Sequence, residues 1–247
     1  MPAFDYTIAP VPIRPDIAAA HRAFWHRLAG PGSWFSGAER VAIAAESRLA
    51  LDCPLCAARR QALSPNAVAG EHRHGGALPE VVVDAVHRIV TDQGRITRRW
   101  VDDNFGRGLA KPAYVELVGV VVAVVSIDEF HRALGLPMEP LPAPRAGEPD
   151  RHMPAVLAED IGFVPTVAPH GAVGREAGLW PNGRSANVIR ALSLVPQALR
   201  DWLELADAQY LSVPRMANFG QDDQRSIDRK QMELVAARVS AVNECYY

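Results

Sequence analysis

The chain has 247 residues, a formal net charge of −2, 49% hydrophobic and 22% charged residues, and a mean hydropathy near zero. So small a charge excludes a general nucleic-acid or anionic-membrane binder, and the composition is that of a globular protein able to bury a core without disulfides. At roughly 100–200 residues per domain, the length corresponds to about one and a half domains.

Residues 1–14 are aperiodic and read as an extended arm. Behind Pro15, residues Ile17, Ala20, Phe24 and Leu28 recur at helical spacing, and Gly30-Pro31-Gly32 ends that helix. Ser36 followed by Glu39 is a capping box and opens an Ala-rich helix over 38–51. Proline is tolerated at the first helical position, so Pro54 starts the next helix, which runs to about Leu63. A Gly-rich loop over 66–78 carries His72 and His74, and helices follow over 79–91 and 97–105. Lys111 to Leu134 is rich in valine, a strand former, but its length without a turn favours a buried helix. Its apolar run, Val115 to Val125, contains Glu116 and is too short to span a bilayer. Prolines crowd residues 137–181, which read as a linker or an ordered extended crossover with no regular element. Helical patterns return over 185–194, 197–211 and 228–242. The expected fold class is all-α.

The chemistry concentrates on Cys53-Pro54-Leu55-Cys56. At a helix start, unpaired backbone amides stabilise a thiolate on Cys53, and Cys56 stands one turn further on, within disulfide reach. This suits thiol–disulfide exchange, in which one sulfur attacks and the other resolves. Glu39 and Glu46 precede Cys53 by fourteen and seven residues. On one continuous helix all three share a stripe, where a carboxylate can relay a proton. A capping role competes for Glu39, and an arginine such as Arg48 or Arg60 competes for Glu46. A zinc reading would join the cysteines to His72 and His74, but H-x-H spacing suits a structural zinc poorly. No metal and no cofactor is expected. His87 reads as a core or surface histidine. There is no G-x-S-x-G, no P-loop and no G-x-G-x-x-G. Lacking a signal-peptide pattern at its start, the chain is expected to be cytoplasmic.

An internal repeat places Cys53 on Cys245, an offset of 192 residues. Ile43 then falls on Val235, Ala44-Ala45 on Ala236-Ala237, and Asp52 on Glu244. Both stretches are capped, Ala-rich helices ending in an acidic residue and a cysteine.

The run Glu39-Arg40-Val41-Ala42-Ile43-Ala44, followed by Cys53-x-x-Cys56, resembles the core of the alkylhydroperoxidase-D-like family, a branch of the carboxymuconolactone decarboxylase superfamily. Residues 79–137 resemble the remainder of such a module. Gln231 to Cys245 matches the family core more closely still, and 184–196 resembles the lead-in helix of a second module. The organisation implied is a first module over 1–136, a Pro-rich connector over 137–182, and the front of a second module over 183–247. The resemblance implies helical modules that self-associate and reduce peroxides or disulfides with a CxxC pair, regenerated by an unidentified thiol reductant. In the family the second cysteine attacks, here Cys56, and the first resolves, here Cys53. The helix-start reading instead favours Cys53 as the more acidic thiol, and the sequence leaves that choice open.

Both copies depart from the family pattern. The family histidine, four residues after the second cysteine, falls on Arg60, which can lower a thiol pKa but cannot shuttle protons. In the second copy Glu233 stands twelve residues before Cys245, as in the family, but a second cysteine would fall at position 248. Glu39, Glu46, Cys53, Cys56, Glu233 and Cys245 are therefore the candidate catalytic residues, and a homo-oligomer is expected to cover the incomplete second module. The alternative is a degenerate module acting as a scaffold or small-molecule binder, and a decarboxylase-type enzyme is a further one.

Overall fold

The computed structural model describes residues 3–180, 185–211, 213–216, 225–243 and 245. The expected boundary at 182/183 and Glu244, the counterpart of Asp52, lie outside them. The described residues are mainly helical, as expected.

Helix α1 (Pro15–Ala29) begins at its proline and buries Ile17, Ala20, His21, Phe24, Trp25 and Leu28. Helix α2 (Gly37–Ala50) starts at the capping box: Glu39 N–H donates to Ser36 Oγ, and Glu39 Oε2 accepts from Ser36 N–H. Helix α3 (Pro54–Gln61) has Cys53 as its N-cap. Leu51 and Asp52 turn the chain between α2 and α3, so the two are not one continuous helix. Helices α4 (Glu80–Thr91) and α5 (Arg98–Gly106) follow, the latter capped by the Thr97 side chain. The valine-rich segment is helix α6 (Lys111–Ala133), 23 residues long.

Residues 137–180 are an ordered crossover, not a free linker. Arg145 N–H donates to Ala29 O and Arg151 N–H to Ser33 O, which ties the segment to the α1–α2 corner. One element there was not expected: a two-residue antiparallel ladder, β1 (Leu157–Ala158) with β2 (Thr166–Val167), in the register Leu157↔Val167. The helix expected over 185–194 shrinks to α7 (Asn187–Arg190). Then come α8 (Pro196–Gln209), α9 (Val213–Met216) and α10 (Arg229–Val242).

Helix α6 is the axis of the bundle, packed by α2, α4, α1 and α8. Leu117, Val124 and Ile127 on it are fully buried. Helix α8 shares this core through Leu205 and Ala208. It approaches α6 closely at Gly119, where a Cβ would meet Ala198 Cβ at 3.0 Å. Buried Arg40, Glu116 and Asp201, with half-buried Arg27, seal the same contact: Arg27 Nε lies 2.8 Å from Asp201, and Arg40 lies 3.4 Å from Glu116 and 3.9 Å from Asp201. Such a group holds together only with both signs present. The N-terminal arm is anchored as well, by buried Phe4 and by Tyr6, whose hydroxyl bridges His21 of α1 and His131 of α6. Among the described residues, no single helix is long and apolar enough to cross a membrane.

Candidate functional site

Cys53 and Cys56 are both buried, in a small cluster with Leu55 and partly buried Val68. The start of α3 presents both sulfurs toward α4 and the 66–78 loop. Cys56 Sγ–H donates to His87 Nδ1 at 3.1 Å, and His87 Nε2–H donates to Glu46 Oε1 at 2.7 Å. The other Glu46 oxygen accepts from Gly75 N–H at 3.0 Å. His87 and Glu46 are 0% and 2% exposed, so this thiol–imidazole–carboxylate line is closed to bulk water.

A second histidine faces both sulfurs. His72 Nδ1 stands 3.6 Å from Cys53 Sγ and 3.6 Å from Cys56 Sγ. Its Nε2–H donates to Asp84 Oδ1 at 3.0 Å, and Arg59 donates to the same oxygen at 2.8 Å. His72, Asp84 and Arg59 line a cleft of about 1150 Å³. Neither cysteine lines it, so His72 stands between the cleft and the thiols.

The electrostatics follow from these contacts. Burial opposes ionisation of Cys53, but the backbone amides of Cys56 and Arg73 and the His72 ring outweigh it and bring the thiol down to about 7. Burial also disfavours a charged His72, yet Asp84 and the two sulfurs raise it to about 10. Burial would raise Asp84, but His72 and Arg59 hold it well below the usual carboxylate range. Burial, with the charge on His72 behind it, pulls His87 down against the pull of Glu46, which favours its neutral form.

Three of the six expected residues, Glu46, Cys53 and Cys56, come together here. Glu39 does not join them: its carboxylate is taken up by Ser36 N–H and Oγ in the capping box, and the turn after Ala50 breaks the helical stripe that would have aligned it with Cys53. Glu233 bonds Tyr210 Oη and Arg229, and Cys245 is exposed beyond α10, so neither belongs to this constellation. Arg60, at the family's histidine position, is exposed. Arg48 pairs with Asp128, leaving Glu46 to His87. His74 turns away, accepting from Gly76 N–H. Among the described residues, Cys53, Cys56, His72 and His87 form a group whose potential ligand atoms all lie within 4.8 Å of one another.

His87 and Asp84 escape a reading based on local spacing, because they lie about 30 residues beyond the cysteines, on another helix. A signal did exist. Glu46 falls on the buried stripe of α2 with Ile43 and Ala50, and His87 on that of α4 with Val83 and Val86. Ionisable groups on buried faces need partners, and two such faces packed together can supply each other. In comparisons with known proteins, no family model, no curated protein and no solved structure matches this chain.

Proposed function

We propose that the chain is a thiol-dependent redox enzyme that reduces peroxides or disulfides through Cys53 and Cys56. The observation that carries this reading is the line Cys56–His87–Glu46, with a second cysteine one helical turn away. It has the parts of the alkylhydroperoxidase-D-like relay, with the histidine supplied by α4 instead of position 60. A buried thiol joined to a neutral imidazole that is backed by a carboxylate is an activated nucleophile.

In the reaction, Cys56 passes its proton to His87 Nδ1, and Glu46 stabilises the resulting imidazolium. The thiolate attacks the terminal oxygen of R–O–O–H. The S–O bond forms, the O–O bond breaks, and the departing alkoxide takes the proton from His87 as ROH. Cys53, whose thiol sits near 7, then attacks Cys56 Sγ. The S–S bond forms and hydroxide leaves, protonated, as water. Peroxide plus dithiol becomes alcohol, water and disulfide, and an external thiol reductant returns the two electrons. With a disulfide substrate, Cys56 forms a mixed disulfide that Cys53 resolves, releasing two thiols. Because His72 and not the sulfurs lines the cleft, a substrate in the cleft reaches Cys56 when the 66–78 loop that carries His72 gives way.

The test is peroxide consumption with dithiothreitol as reductant, on chelator-treated protein. Cys53→Ser and Cys56→Ser should each fall to the rate of reductant alone. A rate unchanged in both variants overturns the redox reading.

A further inference from the structure

We infer that Cys53, Cys56, His72 and His87 bind one thiophilic divalent cation, of which Zn²⁺ is the best match, through two Sγ and two Nδ1 atoms. This does not rest on the redox reading, since the four atoms present the same ligands whether or not the thiols react with peroxide.

Geometry is the first ground. Metal–ligand bonds of about 2.3 Å to sulfur and 2.0–2.1 Å to nitrogen place tetrahedral ligand atoms about 3.3–3.8 Å apart. The contacts of His72 Nδ1 with the two sulfurs are both 3.6 Å, and that of His87 Nδ1 with Cys56 Sγ is 3.1 Å. All four atoms lie within 4.8 Å of one another, so side-chain adjustments alone would close the tetrahedron.

The second ground is independent of distance. Both histidines use Nε2–H on a carboxylate, Asp84 for His72 and Glu46 for His87. Each carboxylate thereby fixes its ring with Nδ1 toward the sulfurs. That is the arrangement by which metal-ligating histidines are oriented and made more basic. Each carboxylate is itself held, Asp84 by Arg59 and Glu46 by Gly75 N–H. Finding the same device on two histidines that converge on one pair of cysteines is hard to account for by proton relay alone, which needs only one.

Charge and topology agree. Two thiolates neutralise a divalent cation, and the ligands come from the start of α3, the loop after it and α4. The ion would therefore clip a loop to two helices. Four protein ligands leave no open position, which is the pattern of a structural metal. A bound metal and a Cys53–Cys56 disulfide exclude each other, because both use the same sulfurs.

The probe is Co²⁺, added to reduced, chelator-stripped protein under anaerobic conditions in a Cys245→Ser background. One equivalent should give the thiolate-to-cobalt band in the near ultraviolet and the intense visible bands of a tetrahedral ion, and Zn²⁺ should bleach both. The Cys53→Ser/Cys56→Ser double variant should lose the bands. His72→Ala should weaken binding by at least about tenfold. As a guard against misfolding, Asp84→Asn, which keeps every ligand, should weaken binding about 10–100-fold with an unchanged far-ultraviolet spectrum. Absence of the bands in the unsubstituted sulfurs, or their persistence in the double variant, overturns the metal site. Peroxide consumption by the same stripped sample separates the two readings. Activity without cobalt bands sinks the metal alone, and bands without cysteine-dependent activity sink the redox reading alone.

Discussion

Helices α2 and α10 begin alike. Each has 14 residues and opens with a complete capping box, Ser36 with Glu39 in one and Asp228 with Gln231 in the other, at the same offset as their cysteines. Their surroundings differ completely. Ile43 and Ala44 of α2 are 0% exposed, packed against α4 and α6. Met232 is the one buried residue among those described on α10, and Leu234, Val235, Val239 and Val242 face outward. At the end of α2 the chain turns into α3, and α4 hands Cys56 a histidine. Cys245, beyond α10, is exposed. Local sequence thus makes the same helix twice, while the chemistry at its end depends on which neighbour packs beside it.

The largest expected effect breaks the comparison at its chemical end. His87→Ala deletes the only contribution of α4 to the proton relay, and a positioned base is worth about 10²–10⁴ in rate. Peroxide turnover should fall by that much and its pH profile should lose the limb the relay supplies. An unaltered profile would show that α4 merely packs against the thiols. Glu46→Gln, which keeps a hydrogen-bond acceptor but no charge, should retain more activity than His87→Ala.

The next effect tests burial alone, at positions the repeat makes equivalent. Ile43→Ala on α2 opens a cavity in a packed core and should cost about 2–5 kcal/mol. Val235→Ala at the matching place on α10, 59% exposed, should stay within about 0.5 kcal/mol. Urea unfolding of both variants reads the difference. Similar losses would mean that α10 is buried in solution by something beyond this chain's own core.

The same contrast explains what could be read from sequence. Helices came through because their signals are local: Pro15 and Pro54 at helix starts, the Ser36 box, and the turnless length of 111–133. The β1–β2 ladder did not, since pairing Leu157 with Val167 depends on how the crossover lies against α6 and α8 and not on strand propensity. In the site, the CxxC pair was legible from spacing, whereas Glu46 was picked out by a stripe that the turn at Leu51-Asp52 breaks, and it meets Cys56 through His87 instead. His87 and Asp84 were not legible, because tertiary packing of α4 on α2 and α3 brings them in, and Arg59, on α3, gains its part only by meeting Asp84 there. Glu39 shows the reverse failure. The stripe that would align it with Cys53 needs one continuous helix, but the chain turns at Leu51-Asp52, and the capping role that its spacing from Ser36 announced is the one it fills.

The last contrast separates the two regions by acid. His21 on α1 is 0% exposed and faces Tyr6 of the arm, His131 of α6 and Gln209 of α8, with Arg22 beside it. Burial, with charge on His131 and Arg22, pulls its pKa from 6.5 to about 3. The unfolded chain therefore takes up a proton at higher pH than the folded one. His21 contributes fully above 6.5, and that contribution is lost as pH falls toward 3, at up to about 1.4 kcal/mol per pH unit. Glu233, the titrating partner on the α10 side, is 44% exposed at its side chain and is lowered by Tyr210 and then Arg229. Its contribution is lost only below its ordinary 4.5, and solvent keeps it small. Thermal melts from pH 7 to 4 should thus fall steadily in the wild type and in Glu233→Gln, but less steeply in His21→Asn, where buried His87, also pulled down, keeps part of the limb. An acid limb identical in all three would remove His21 as its source, and a limb flattened by Glu233→Gln instead would make α10 the acid-sensitive region.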